Sequence, residues 1–131
     1  MRTNFRDDSG AVAVLGALAA SVVVAGAGFG VETGYWYYEQ TRMQQVADAA
    51  AYAGAVEHRG GATEAEILAG ARAAALDNGF TDATDTLQVI TPATVSGASD
   101  SRAVKVIVRR TETRMFSALF TSEPAVVGAD A

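Results

Sequence analysis

Apolar and polar positions change rhythm three times along this chain. From Ala11 to Val31 there is no Asp, Glu, Lys or Arg, and an apolar helix of about 20 residues spans a bilayer core of roughly 30 Å. Ala, Val and Gly dominate the run, with Leu15 and Leu18 its only leucines, so its insertion energy is modest beside that of a Leu-rich span. A cleaved secretory signal carries an apolar stretch of only about 7 to 15 residues before an A-x-A-like site. The run here is longer and continues into helix-compatible sequence, which favours a membrane span. Ser9 can accept from the first amides of a helix starting near Gly10, with Asp7 and Asp8 at the positive end of its dipole. No Pro falls between residue 10 and the Gly60-Gly61 pair, so the pattern predicts one helix through both halves of the segment.

Past Val31 the rhythm becomes amphipathic. Met43, Val46, Ala47, Ala50 and Ala53 or Gly54 recur at three- and four-residue spacing, with Gln44, Gln45, Asp48 and Glu57 elsewhere on the surface; this is a narrow apolar face made of small residues. After the Gly pair, Thr63 and Glu66 form a capping box. A second helix follows with Ile67, Leu68, Ala71, Ala75 and Leu76 as its apolar face, ending at Asn78-Gly79 with Phe80 covering the end. The third rhythm is that of strands. "TLQVIT" is short and β-branched, and "RAVKVIVRR" puts Val104, Val106 and Val108 on one face and Lys105, Ile107 and Arg109 on the other. "PATVSGASDS" reads as a polar connecting loop. "RMFSALF" reads as a helical turn anchored to the core by Met115, Phe116, Leu119 and Phe120, and "AVVGA" as a last strand. The fold class expected is α+β: a long N-terminal helix, half transmembrane and half amphipathic, packed with a second helix on a small antiparallel sheet. Its divisions are a short cytoplasmic leader (1–10), a transmembrane segment (11–31), the amphipathic continuation (32–59) and a small extracytoplasmic α+β domain (62–131).

Two features mark the passage between the halves. Gly26, Gly30 and Gly34 repeat every fourth residue, a spacing that lets membrane helices approach closely; each glycine costs about 1 kcal/mol of helix stability relative to Ala. Tyr35, Trp36, Tyr37 and Tyr38 follow at once, and amphipathic rings settle at the headgroup level of a bilayer. Glu32 and Glu39 lie nearby, with Arg42 in reach as an exposed, weak ion-pair partner.

Composition narrows the chemistry. The 131 residues contain no cysteine, which excludes disulfides and thiolate metal sites. The net charge of −5 falls wholly after the apolar run, and an acidic domain argues against nucleic acid as a partner. Arg2 and Arg6 precede the run, whereas Arg42 alone lies close behind it, so counting Lys and Arg places the N-terminus in the cytoplasm. His58 is the only histidine and reads as a solvated helix-end residue rather than a general base. Asp82, Asp85 and Asp100 lack the loop spacing of an EF-hand and read as solvated loop carboxylates. No catalytic residues, cofactor site or metal site emerge, so an enzyme is not expected.

The stretch "RDDSGAVAVLGALAASVVVAGAGFGVETGYWYYEQ", followed by "RMQQVADAAAYAGA", resembles the N-terminal segment of TadG-like proteins of the TadE/TadG group, associated with tight-adherence (Flp-type) pilus assembly in bacteria. The matching elements are the charged leader ending in Gly10, the "AVAV" opening at 11 to 14, the aromatic exit Tyr35 to Tyr38, and the Q-x-x-A-D-A-A-A core from Gln44 to Ala51. The resemblance covers about residues 5 to 57 and implies a pilin-like protein anchored by one pass in the inner membrane, its head in the periplasm or at the cell surface. It implies as partners the membrane and other pilus or assembly subunits, or copies of this chain, met through the N-terminal helix. Prepilin-like members are cut after a glycine and carry Glu at the fifth mature position. After Gly10 that position is Leu15, which argues against processing between Gly10 and Ala11 and favours an accessory or minor component. An independent membrane-anchored adhesin or binding module is the alternative.

Overall fold

The computed structural model describes residues 9–95, 98–100 and 102–131; most of the leader, residues 1–8, lies outside the described residues. Helix α1 runs unbroken from Ser9 to Arg59. Helix α2 spans Glu64–Asp77, and strands β1 (Asp85–Ile90), β2 (Ala93–Val95), β3 (Ala98–Asp100), β4 (Lys105–Glu112) and β5 (Ala125–Asp130) follow. A 3₁₀ turn at Ser117–Leu119 separates β4 from β5. The chain is α+β, as the three rhythms require.

The α2 capping box forms as expected: the Thr63 Oγ1 accepts from the Glu66 amide and the Glu66 carboxylate accepts from the Thr63 amide. At the other end Gly79 takes φ +100°. The Phe80 amide reaches back to the Ala75 carbonyl and the Gly79 amide to Leu76, so the terminal carbonyls are satisfied through a backbone conformation that glycine adopts without penalty.

Strands β1, β4 and β5 make an antiparallel sheet in the order β1-β4-β5, with Val108 opposite Leu87 on one side and Ala129 on the other. The core lies where α1 meets both α2 and this sheet. Met43, Val46, Ala47, Ala50, Ala71, Ala75, Val106 and Val108 are fully buried there. The small residues set the geometry: a Cβ placed on Gly54 would already touch Ala71 and Ile67 at 3.6 Å and Val104 at 3.2 Å, so α1 has no room for a larger face.

Three local expectations need correction. Leu68 and Leu76 are about half exposed, because α2 buries only the Ile67, Ala71, Ala75 stripe that fits the narrow face of α1. The connection after β1 is a second ribbon, β2 paired with β3, rather than a plain loop. Asp100 accordingly ends a strand. Met115, Phe116, Leu119 and Phe120 do not enter the core: they are 48, 43, 84 and 76 % exposed, and the turn that bears them is held to α1 by Glu32 and by Phe116 against Gly28.

Candidate functional site at the helix–head junction

From Gly28 to Val46 one side of α1 faces the head, and its residues follow helical spacing: Gly28, Glu32, Tyr35, Glu39, Met43, Val46. Two carboxylates therefore sit in the phase of the helix that is buried. Glu32 is 1 % and Glu39 3 % exposed, against the expectation of weak surface pairs.

Glu32 takes hydrogen bonds from the backbone amides of Met115 (2.7 Å) and Ser117 (2.8 Å) and from the Ser117 hydroxyl (3.0 Å). It thus caps the 3₁₀ turn, joining residues more than eighty positions apart. Burial pushes this carboxyl up, but the two amides, the hydroxyl and the charge of Arg114 outweigh it, and the group lies below its ordinary value.

Seven residues on, Glu39 accepts from Arg110 Nη1 at 2.7 Å and from Arg42 Nη1 at 3.3 Å. Arg110 turns its other edge to Asp85, Nε to Oδ1 at 2.6 Å and Nη2 to Oδ2 at 2.7 Å. Its Nη2 also donates to the Gly79 carbonyl at 3.0 Å. This two-point fork is the geometry that guanidinium and carboxylate share. Asp85, buried rather than solvated, also accepts from the Thr81 amide and the Thr84 hydroxyl. Burial raises its carboxyl, yet Arg110 and these donors bring it below the usual value, and the paired carboxylates raise Arg110. One guanidinium therefore ties α1, the end of α2, β1 and β4 together.

The aromatic quartet divides by helical phase. The Tyr35 hydroxyl donates to Glu112 at 3.2 Å, and the Trp36 ring lies 5.4 Å from the Arg114 guanidinium, while Tyr37 and Tyr38 are 74 and 58 % exposed. Trp36 borders a cleft of about 550 Å³ between α1 and β5, with Thr33, Gln40, Arg114 and Val126 also on its walls; its buried indole Nε1–H has no acceptor among the described residues.

The predicted glycine face divides too. Nothing stands within 4 Å of where a Cβ would be on Gly26, Gly30 or Gly34. Gly28 is the glycine the head uses, since a Cβ there would meet the Phe116 ring at 2.5 Å. At about 100° per residue Gly28 lies roughly 160° around the helix from Gly30, so the bare glycines point away from the head. Gly10 and Ala11 lie in the first turn of α1, exposed.

Sequence reasoning missed Arg110 and Ser117, and it read Asp85, here 7 % exposed, as a solvated loop carboxylate. One signal was present: in β4 the alternation Val106, Val108 continues inward to Arg110, so an arginine stands in the apolar phase. Among the described residues no three His, Asp or Glu side chains converge as a metal site. The junction binds segments of one chain to each other.

No curated protein and no solved structure matches the chain. Residues 10–57 match the Tad family model, described as "Putative Flp pilus-assembly TadE/G-like". The matched stretch coincides with α1, from its bare apolar half through the junction to the packed face, and over that segment the chain is similar to the TadE/G-like family.

Proposed function

We propose that this chain is a membrane-anchored, pilin-like structural or assembly component of an Flp-type pilus or related secretion apparatus. The family match supports a role connected with pilus assembly. The observation that carries the finer reading is the N-terminal half of α1, where Val12, Val14, Leu15, Leu18, Val22, Val23, Val24 and Val31 are each 61–72 % exposed. A helix apolar on all sides and covered by no protein needs lipid or other apolar helices around it. Residues 11–31 then cross the inner membrane once, residues 1–10 stay in the cytoplasm, and 32–131 stand outside it. The Gly26, Gly30, Gly34 face, turned away from the head, is the surface for partner helices.

The substitution Gly30→Leu tests this. A Cβ at position 30 meets nothing within 4 Å among the described residues, so the head should unfold as in the parent protein while co-purification with sheared filaments or assembly subunits is lost. Unchanged co-purification would remove the glycine face from the proposal. Intact mass from host membranes should be uncut, Leu15 standing where processed pilins have Glu. A mass beginning at Ala11 in filaments would make the chain a processed subunit, and one beginning near Gly30 would end the membrane-span reading. The cleft beside Trp36, with its unpartnered indole N–H, favours the second reading, a ligand-binding head, which Gly30→Leu would leave intact.

A further inference from the structure

The turn between β4 and β5 has the wrong surface for water. Met115, Phe116, Leu119 and Phe120 occur within six residues, and Leu119 and Phe120 are 84 and 76 % exposed. Their position along α1 says what covers them. Phe116 packs on Gly28, and the Phe120 ring lies 5.7 Å from that of Phe29. Both contacts fall inside the uncharged run Ala11–Val31, not beyond it. At 1.5 Å per residue Phe29 stands about 3 Å below the end of that run and about 10 Å below Trp36.

Five amides in and next to the turn are satisfied within the chain. The Met115 and Ser117 amides go to Glu32; the Leu119 amide goes to the Phe116 carbonyl, and those of Phe120 and Thr121 go to the Ser117 carbonyl. Irregular backbone enters the apolar edge of a bilayer only when its polar groups are satisfied within the protein. Above the turn, Arg114 against the Trp36 ring sets a cation and an indole side by side, the pair that suits headgroup phosphates.

From these placements we propose that the 115–120 turn is a second membrane contact, a wedge that lays Leu119 and Phe120 into the head-side leaflet of the bilayer α1 crosses. The proposal rests on the membrane-span reading above. It commits to lipid as the occupant because the patch is continuous with the apolar surface of α1 at the same depth. The wedge presses the head onto the membrane in one orientation and fills the Gly28 side of the helix, leaving the opposite glycine side open to partner helices.

The chain has no cysteine, so single-site spin labels are clean. Leu119→Cys, Leu18→Cys and Ala73→Cys, the last on the exposed side of α2, would be labelled in the full chain in vesicles of phosphatidylcholine and phosphatidylglycerol. Accessibility to oxygen and to a water-soluble nickel chelate would then be compared. The expected oxygen-to-nickel ratio at position 119 is several-fold above that at 73 and below that at 18. A lipid-like label at 18 with a water-like label at 119 overturns the wedge and spares the span. A water-like label at 18 removes the span and the wedge with it. A label at 119 shielded from both reagents means that protein, a second copy or another subunit, covers the turn, and overturns the proposal.

Discussion

The two halves of α1 are one uninterrupted helix with opposite relations to the rest of the molecule. Between Val12 and Val24 large apolar side chains stand exposed on every side, and nothing among the described residues packs on them. Between Met43 and Ala50 the apolar stripe is fully buried, with polar residues around the remainder. The difference teaches that helix formation and core formation are separate events here. The first half is helical because no Pro interrupts it, and in the membrane-span reading proposed above its surroundings come from lipid or partner helices. The second half is helical and also forms the centre of a small domain. The junction between them is fastened by carboxylates on the buried side, Glu32 to the turn and Glu39 to Arg110.

That contrast can be broken most strongly at Arg110. Replacing it by Met leaves Asp85 buried without its cation and Glu39 with only Arg42, and removing one member of a buried pair destabilises by about 3–5 kcal/mol. Urea unfolding of the head followed by far-UV circular dichroism should show a loss of that order; an unchanged midpoint would mean the network contributes no net stability. The helix halves can be compared directly through overpacking. Ala47→Leu should cost the head about 1–3 kcal/mol, whereas Val23→Leu should change it by less than about 0.5 kcal/mol. Equal effects would erase the distinction between packed and unpacked halves.

Glu32→Gln is a local test. The Met115 and Ser117 amides donate to different oxygens of Glu32, so Gln keeps an acceptor for one and turns its N–H₂ toward the other, and at least one of the two amides should exchange with solvent faster while α2 amides keep their protection. Unaltered exchange at those two positions would show that the turn is held by Phe116 and Phe120 alone. The smallest effect is on the acid side. Asp85 and Glu32 both lie below their ordinary values of 3.8 and 4.5, so the stability they contribute is present above those values and lost as pH falls through the lower folded-state pKa. Arg110 is raised and keeps its charge throughout. Head stability should therefore be flat near neutrality and fall below about pH 4, and Asp85→Asn should flatten part of that fall; an alkaline loss of stability of equal size would contradict the assignment.

Much of this architecture is legible in residue order because it depends on local periodicity. The apolar run, the Met43 to Ala50 stripe, the Thr63–Glu66 box, the Asn78-Gly79 stop and the alternation in β4 each follow from spacing within a few residues, and each appears in the fold as expected. The expected anchoring of Met115, Phe116, Leu119 and Phe120 failed because hydrophobicity states that a side chain avoids water, not which apolar medium receives it. Glu32, Glu39 and Asp85 were misjudged for a related reason. A carboxylate is ordinarily exposed unless it is paired, and the partners, Ser117 for Glu32 and Arg110 for the other two, lie from 25 to 85 positions away in the chain.

The sequence by itself determined the helix, its change of surface at Val31, the second helix with its caps and the strands, since all of these are set by short-range sterics and the period of apolar positions. Tertiary structure alone decided which glycine the head occupies, which carboxylates are buried and where the aromatic turn is held. Those outcomes depend on how distant segments are brought together, and only the packed chain specifies that.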